Sequence, residues 1–423
     1  MYLWGEGTKH KTRNTHKNLM RIITYLFLGT IVFLNRNAAA DWPQFRGSAS
    51  RSTSSDAKLP TEFSSEKNVA WKAPLVGKGV SGPIVVGKKV FVTASSGPVV
   101  QNRLHVLCFD ADSGKQLWHR QFWATGRCFH HPTSANAAPT PASDGQRVFA
   151  FFSSSDLICL DLDGNLQWYR GLGHDYPKAG NDVGMASSPV VAGGAVVVQI
   201  ENQGDSFAAG LDTATGETLW REARQNGANW ASPALLRDQE GKEVVLLQSP
   251  GVLTAHEPRS GKQVWKYDAK CAGIPSATAV NDRVYLPSQG LTVLEATATS
   301  SSPTVAWESS RLGPGSASPV VAGDHVYVLN SAGVLTCGES KSGDVLWQQR
   351  LAGKFWATPV VAGDYIYCLN QDGKCFVVKL GAEKPADVPA GELGEGVFAS
   401  PAVSGDGLFI RTEKHLWKIA DKK

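Results

Sequence analysis

The chain lacks the marks of several large protein classes. Over its 423 residues few stretches repeat apolar side chains at intervals of three and four, which excludes a helical bundle. The apolar run 22–34 is 13 residues long, too short to cross a membrane as a helix. Gly-x-Ser-x-Gly, His-Glu-x-x-His and Walker-type phosphate loops are all missing, so no common hydrolase or nucleotide-binding chemistry is signalled. Cys-x-x-Cys-His is missing too, and with it any attached c-type haem. A catalytic group assembled from distant segments would leave no such signature.

Strong charge is also wanting. The formal net charge is +4, but residues 1–40 hold six basic residues and one acidic residue. The remainder has 36 Lys and Arg against 37 Asp and Glu, a net charge near −1, which argues against a nucleic-acid partner.

What is present begins with a targeting pattern. Arg13, Lys17 and Arg21 precede the apolar run, and Ala38, Ala39 and Ala40 precede Asp41, the layout of a cleavable secretory signal. Residues 1–19 add nothing to it, and a start at Met20 would leave a compact signal. The expectation is a periplasmic or secreted protein. No Cys sits near the cleavage site, which argues against a lipid anchor there even if the protein works close to a membrane.

Beyond this leader and an extension over 41–67, short runs of Val, Ile, Leu, Phe and Tyr alternate with Gly, Asp, Asn and Ser, as in an almost entirely β protein. One phrase recurs. ASPVVAGDHVYVLN at 317–330 returns as ATPVVAGDYIYCLN at 357–370. Its Pro-centred opening appears at Gly82-Pro83, Ala138-Pro139, Ser188-Pro189, Ser232-Pro233, Ser318-Pro319, Thr358-Pro359 and Ser400-Pro401, with a degenerate copy at Ser276-Ala277. A turn Gly precedes a Trp by four residues at Gly114/Trp118, Gly164/Trp168, Gly216/Trp220, Gly261/Trp265 and Gly343/Trp347. Gly supplies the positive φ of a hairpin turn, and the Trp lies on one face of the next strand, placed to wedge against a neighbouring sheet.

A unit of about 40–50 residues holding four strands is the signature of a propeller blade. Trp307 marks the fifth unit, whereas the seventh has no such Trp. The last copy stops after three strands. The segment NVAWKAP, carrying Trp71, is expected to supply the missing strand and close the ring. The reading is an eight-bladed β-propeller over 68–420, with seven blades as the alternative if the seventh is rudimentary.

These repeats resemble the pyrroloquinoline-quinone (PQQ) repeat propellers. That family includes quinoprotein alcohol dehydrogenases and the propeller lipoprotein of the outer-membrane β-barrel assembly machinery. The opening DWPQFRG is similar to the start of secreted members with no assigned reaction. For a dehydrogenase the resemblance implies PQQ stacked at the axis, Ca²⁺ on its carbonyls, an Asp base, and an adjacent Cys-Cys pair beside the cofactor. This chain has no Cys-Cys, and it is shorter than those enzymes.

If strands run A to D from the axis outward, D-to-A and B-to-C links share one face. Most length variation falls there, over blades one to three: 119–137, 170–186, ASSGPVVQN and ENQGDS. Arg127, Cys128, His130 and His131 in the first insertion could suit zinc or copper, or could hydrogen-bond locally as a surface loop. Asp175, Asn181, Asp182, Glu201, Asn202 and Asp205 could suit Ca²⁺ or be solvated loop polarity. At the axis, Met185, Trp230, Trp356 and Phe398 precede the first strands of four blades. They would either collar a planar ligand or a partner's side chain, or plug the channel by packing together.

Cys108, Cys159 and Cys337 share one repeat position with Gly210 and Ala255 and read as small buried residues. Cys368 and Cys375 flank a hairpin and could form a disulfide after export. The functional expectation is an exported, monomeric, non-catalytic scaffold that binds a protein partner of the cell envelope or a ligand, with no cofactor. The alternative is a PQQ- and Ca²⁺-dependent dehydrogenase of alcohols or sugars.

Overall fold

The computed structural model describes residues 41–180 and 183–421. The expected leader and Asp182 lie outside the described residues. Eight antiparallel sheets, each built on four strands, follow one another along the chain, and the innermost strands of neighbouring sheets touch from blade to blade around the axis. Blade 1 shows the plan: strand A at Ile84–Val86, B at Lys89–Ser96, C at Arg103–Asp110 and D at Gln116–Trp123.

Burial explains the composition of each strand. A and B are almost wholly buried, and C is buried except at its ends. D alternates between exposed and partly buried positions, because its outer face meets water.

Closure follows the expected route. Val69–Pro74 pairs antiparallel with His415–Ile419 as the outermost strand of blade 8, with Trp71 opposite Lys418. Blade 7 keeps a short outer strand, Ala390–Glu392, so the count is eight and not seven.

The repeated Trp acts between blades. Trp71, Trp118, Trp168, Trp220, Trp265, Trp307 and Trp347 each donate the indole N–H to a main-chain carbonyl of the following blade, at 2.8–3.1 Å. Each turn Gly lies beneath the Trp of the preceding blade, not its own. At Gly114 φ is +71°, and a Cβ would stand 2.5 Å from the Trp71 ring. Only Gly meets both demands. Directly across the sheet from Trp118, Trp168 and Trp347 sit Cys108, Cys159 and Cys337. Gly210 and Ala255 hold that position opposite Trp220 and Trp265. At these five Trp the position opposite holds a small side chain, whereas Val293 faces Trp307 and Lys418 faces Trp71.

The Pro-centred phrase builds a second ring. The hydroxyl before each Pro accepts the backbone N–H of the equivalent residue one blade earlier. Gly82 donates to Thr140, Thr140 to Ser188, Ser188 to Ser232, Ser232 to Ser276, Ser276 to Ser318, Ser318 to Thr358 and Thr358 to Ser400, all at 2.9–3.0 Å. This corrects one register: the second copy is Thr140-Pro141, not Ala138-Pro139, since Ala142 pairs with Phe149 as Ile84 pairs with Phe91. Seven links form. The eighth, between blades 8 and 1, does not, because Gly82 has no hydroxyl and a Cβ there would lie 2.7 Å from the Ser400 carbonyl oxygen.

The extension 41–67 is part of the fold. Trp42 pairs with Val85, the Pro43 carbonyl accepts from Ser143, and the Gln44 side chain accepts from Val191, the middle residues of strand A in blades 1, 2 and 3. Arg46 and Arg51 then reach strand A of blade 5, and Thr53–Ser54 adds a parallel strand to Val360–Ala362 of blade 7. The segment crosses the axis from blade to blade, and Lys58 leaves it at the A-to-B turn of blade 8 through Asp406. It fills the channel on the face that carries the A-to-B turns.

The expected disulfide does not form. Cys368 pairs with Phe376 while Cys375 pairs with Leu369. One residue of register sends the two thiols to opposite faces of the sheet, where both are buried in separate clusters. All seven cysteines are free.

Candidate functional site

With one end of the axis filled by the chain itself, the opposite face is the candidate. It carries the insertions of blades 1 to 3, and the structure sorts their residues into buried and available.

The acidic residues are committed. Glu201 is buried and accepts from Arg224, Ser249, Gln199 and Asn229. Asn202 is buried and holds its own loop through Gly204, Ser206 and the Asp205 carbonyl. Both stand in the B-to-C link of blade 3 on the built-up face, buried beneath its surface. Arg170 pairs with Asp175 at 2.7 Å and Arg221 with Asp205 at 2.7 Å. Each of these carboxylates thus has an Arg from the fourth strand of blade 2 or the end of blade 3.

The first insertion is likewise self-contained. Cys128 points inward to the Gly126 carbonyl, and burial raises its thiol pKa to about 11. His130 bonds the His131 carbonyl, and His131 bonds Thr133. Arg127 lies over the ring of Phe129. Buried beneath this loop, Asp156 accepts from Thr125, Ser154 and Tyr169. No group of three or more His, Cys, Asp or Glu converges among the described residues.

For a resident Ca²⁺ with PQQ, this donor set does not fit. Among the described residues, with Asn181 and Asp182 outside them, the carboxylates that could serve as oxygen ligands are taken by guanidinium groups or by hydroxyl and amide donors.

The collar is only partly assembled. Met185 is 1% exposed and packs between blades 2 and 3 with Phe149, Leu157 and Ile200. It stands four residues before its Pro, like the buried Phe355 and Val397, whereas Trp230, Trp356 and Phe398 stand three before theirs. The collar position in blade 3 is Ala186. Trp230 is half-buried, its indole N–H pinned to the Gly184 carbonyl at 2.8 Å. Phe398 is half-buried beside a cavity, and Trp356 is 46% exposed. Among the described residues these three rings do not pack on one another. The channel is blocked from the other end by the 41–54 segment.

Sequence reasoning missed the apolar groups that this face does present. Val100 is 89% exposed, Trp123 54% and Phe129 51%, joined by Val99 and Val183. They come from the B-to-C loop of blade 1, the end of its strand D and the insertions after blades 1 and 2. Arg103 covers part of Trp123, 4.9 Å from the ring centroid. Their signal was available in the sequence: apolar residues inside segments too irregular to be strands.

Comparison with known proteins agrees with the geometry. A family model described as outer membrane protein assembly factor BamB matches residues 58–205, 180–297 and 291–384. No curated protein matches the chain. Among solved structures, BamB from Moraxella catarrhalis superposes with a TM-score of 0.60 at 17% identity, covering 82% of this chain and 96% of its own. A europium-containing methanol dehydrogenase gives 0.65 at 13% identity, covering 89% and 90%. The quinohemoprotein alcohol dehydrogenase of Comamonas testosteroni gives 0.63 at 14% identity, covering 92% and 82%. At these identities the superpositions establish the fold.

Proposed function

From a chain that belongs to the family of the outer membrane protein assembly factor BamB, we propose an exported, non-catalytic scaffold that docks a protein partner of the cell envelope on its built-up face. One observation carries the reading: in the insertions of that face Glu201, Asp175, Asp205, His130 and His131 are spent on internal bonds, while Val100, Trp123, Phe129 and Trp356 are left to solvent. Rigid loops presenting aromatic side chains are the usual composition of a protein interface.

The scaffold beneath is stiff. Seven indole bridges and seven hydroxyl links tie blade to blade, so docking costs little ordering of the backbone.

The test replaces Trp123, Phe129 and Trp356 together by Ala and measures recovery of envelope proteins by crosslinking in the native host. Loss of a defined crosslinked partner with an unchanged melting temperature supports the reading. A rise in melting temperature of the unmodified protein at saturating PQQ and Ca²⁺ would overturn it in favour of a dehydrogenase, since a ligand of the native state must stabilise it.

A further inference from the structure

Three arginines are buried in this propeller, and they are solved differently. Arg224 has the carboxylate of Glu201 at 3.1 Å. Arg46 has no carboxylate, but its two terminal nitrogens bond the Thr278 hydroxyl and the Ala277 carbonyl, both at 2.7 Å, in the filled part of the channel. Arg411, the last residue of the second strand of blade 8, is 1% exposed and also lacks a carboxylate among the described residues. Its hydrogen bonds all leave from Nη1, to the Ser81 hydroxyl at 2.6 Å, the Thr93 carbonyl at 2.6 Å and the Ser81 carbonyl at 3.3 Å. Nε is buried without a partner, and Nη2 lies against the backbone of Gly79, where a Cβ would stand 2.2 Å away.

Arg411 is among the residues that line a cavity of about 480 Å³ at the seam between blades 8 and 1. Gly79, Val80, Phe398 and Ala399 give it apolar walls, and Pro132 of the first insertion also lines it. Lys78, Lys414 and Glu413 line it too, so with Arg411 the cations outnumber the single carboxylate. This is the same seam at which the hydroxyl ring fails to close. The gap in the repeat is thus where a buried cation and a space coincide.

We propose that this cavity is a binding site for a small organic carboxylate, whose oxygens pair with the Arg411 guanidinium once a small shift of the Gly79 loop opens it, and whose carbon skeleton lies against Val80 and Phe398. A guanidinium edge matches a carboxylate in bidentate fashion, and a buried cation lacking an anion gains most from receiving one. Burial without a counter-charge pulls the Arg411 pKa down to about 9, as it does for Arg46, so it is the cavity beside Arg411 that sets this arginine apart. A few hundred cubic ångströms with apolar walls and one convergent polar group is the usual build of a small-molecule site. The inference does not depend on the protein-docking reading, which concerns other residues of the same face.

The test is calorimetric titration of the full chain with succinate, citrate, inorganic phosphate, and a tripeptide with either a free or an amidated C-terminus. At least one free carboxylate is expected to bind. Binding of succinate or citrate marks a free metabolite-like acid as the source, whereas binding of only the free-ended tripeptide marks a polypeptide C-terminus. Arg411→Gln should weaken binding by at least about tenfold, the loss of one charge-assisted pair. Should that variant fail to fold, the double change Lys78→Gln with Lys414→Gln at the exposed rim decides, and a severalfold weakening is expected. No binding by any probe at roughly 10 mM, affinity unchanged in these variants, or phosphate bound more tightly than every carboxylate would each overturn the proposal.

Discussion

The two mouths of the axial channel are built by opposite strategies. On the face of the A-to-B turns, the stretch 41–54 enters the channel and divides its polar groups between its own turns and strand A of successive blades, leaving Trp42, Gln44, Arg46 and Ser52 buried. On the other face, insertions after blades 1 and 2 spend their polar groups on themselves and leave aromatic rings exposed. One mouth is sealed by its own sequence, and the other is finished as a surface for something else. In a ring of near-equivalent blades such asymmetry cannot come from the repeat. It has to come from segments outside the repeat.

Four measurements would break or sharpen this contrast. The largest effect is expected at the sealed mouth. Trp42→Ala removes a buried ring with no way for the ring of blades to collapse inward, and should cost about 3–5 kcal/mol in chemical denaturation. A loss under about 1 kcal/mol would mean that the plug is an ornament and not a part of the core.

Next comes the hydroxyl ring shared by both halves. Ser232→Ala leaves the buried N–H of Ser188 without its acceptor, which should cost about 1–3 kcal/mol. The same change at Gly82 is impossible without displacing Ser400, so Gly82→Ala should be worse than a neutral substitution despite adding only a methyl group.

Third is pH. On blade 1, His105 bonds His119 at 2.9 Å and Ser96 at 2.8 Å, and burial followed by the neighbouring His119 holds its pKa down at about 4. His119 and His256 are lowered as well, by burial. Between about 6.5, the value in an unfolded chain, and 4, the unfolded state binds protons that the native state refuses. The stability these histidines govern should therefore fall as pH drops through that window and level off below it, where carboxylates held low, such as Asp110, continue the loss. Urea midpoints at about pH 7 and about pH 5 check the direction, and His105→Asn should flatten the dependence. Equal midpoints for the unmodified protein would contradict it.

Smallest of all should be the effect of the exposed rings on folding. Trp123→Ala, Phe129→Ala and Trp356→Ala are each expected to change stability by no more than about 0.5 kcal/mol, while removing partner capture. A loss of several kcal/mol at any of them would make that ring part of the core and weaken the case for a docking face.

Much of the fold was legible because repetition multiplies a weak signal. One Gly four residues before one Trp means little, but five such pairs fix a turn, a strand and its face. The C-to-D turn shows why: Asp110 accepts the N–H groups of Asp112 and Ser113, and the Ser113 hydroxyl and backbone bonds lower its pKa. All of that lies within four residues. The closure by Trp71 was legible for a related reason, since a missing strand at one end and a surplus one at the other have a single economical solution.

The site was legible only in part. Met185 was misplaced by one residue, because a doubled Ser before Pro189 hides the register that pairing with Val197 reveals. Glu201 reads as a loop acid until Arg224, more than twenty residues later, is seen beside it. Arg411 reads as an ordinary strand-end residue, since its isolation depends on what blade 1 brings to it.

Local chemistry in the amino-acid order was enough to determine strand order, the inter-blade Trp and, at five of them, the small residue opposite, because each arises from contacts a few residues or one repeat apart; eight blades against seven was decided by the outer strand of blade 7. Which mouth is closed, which carboxylates are spent and where a buried cation goes unpaired were decided only when the ring closed. Those properties depend on side chains up to more than two hundred residues apart, as Arg46 and Thr278 are, meeting across an axis that no local pattern describes.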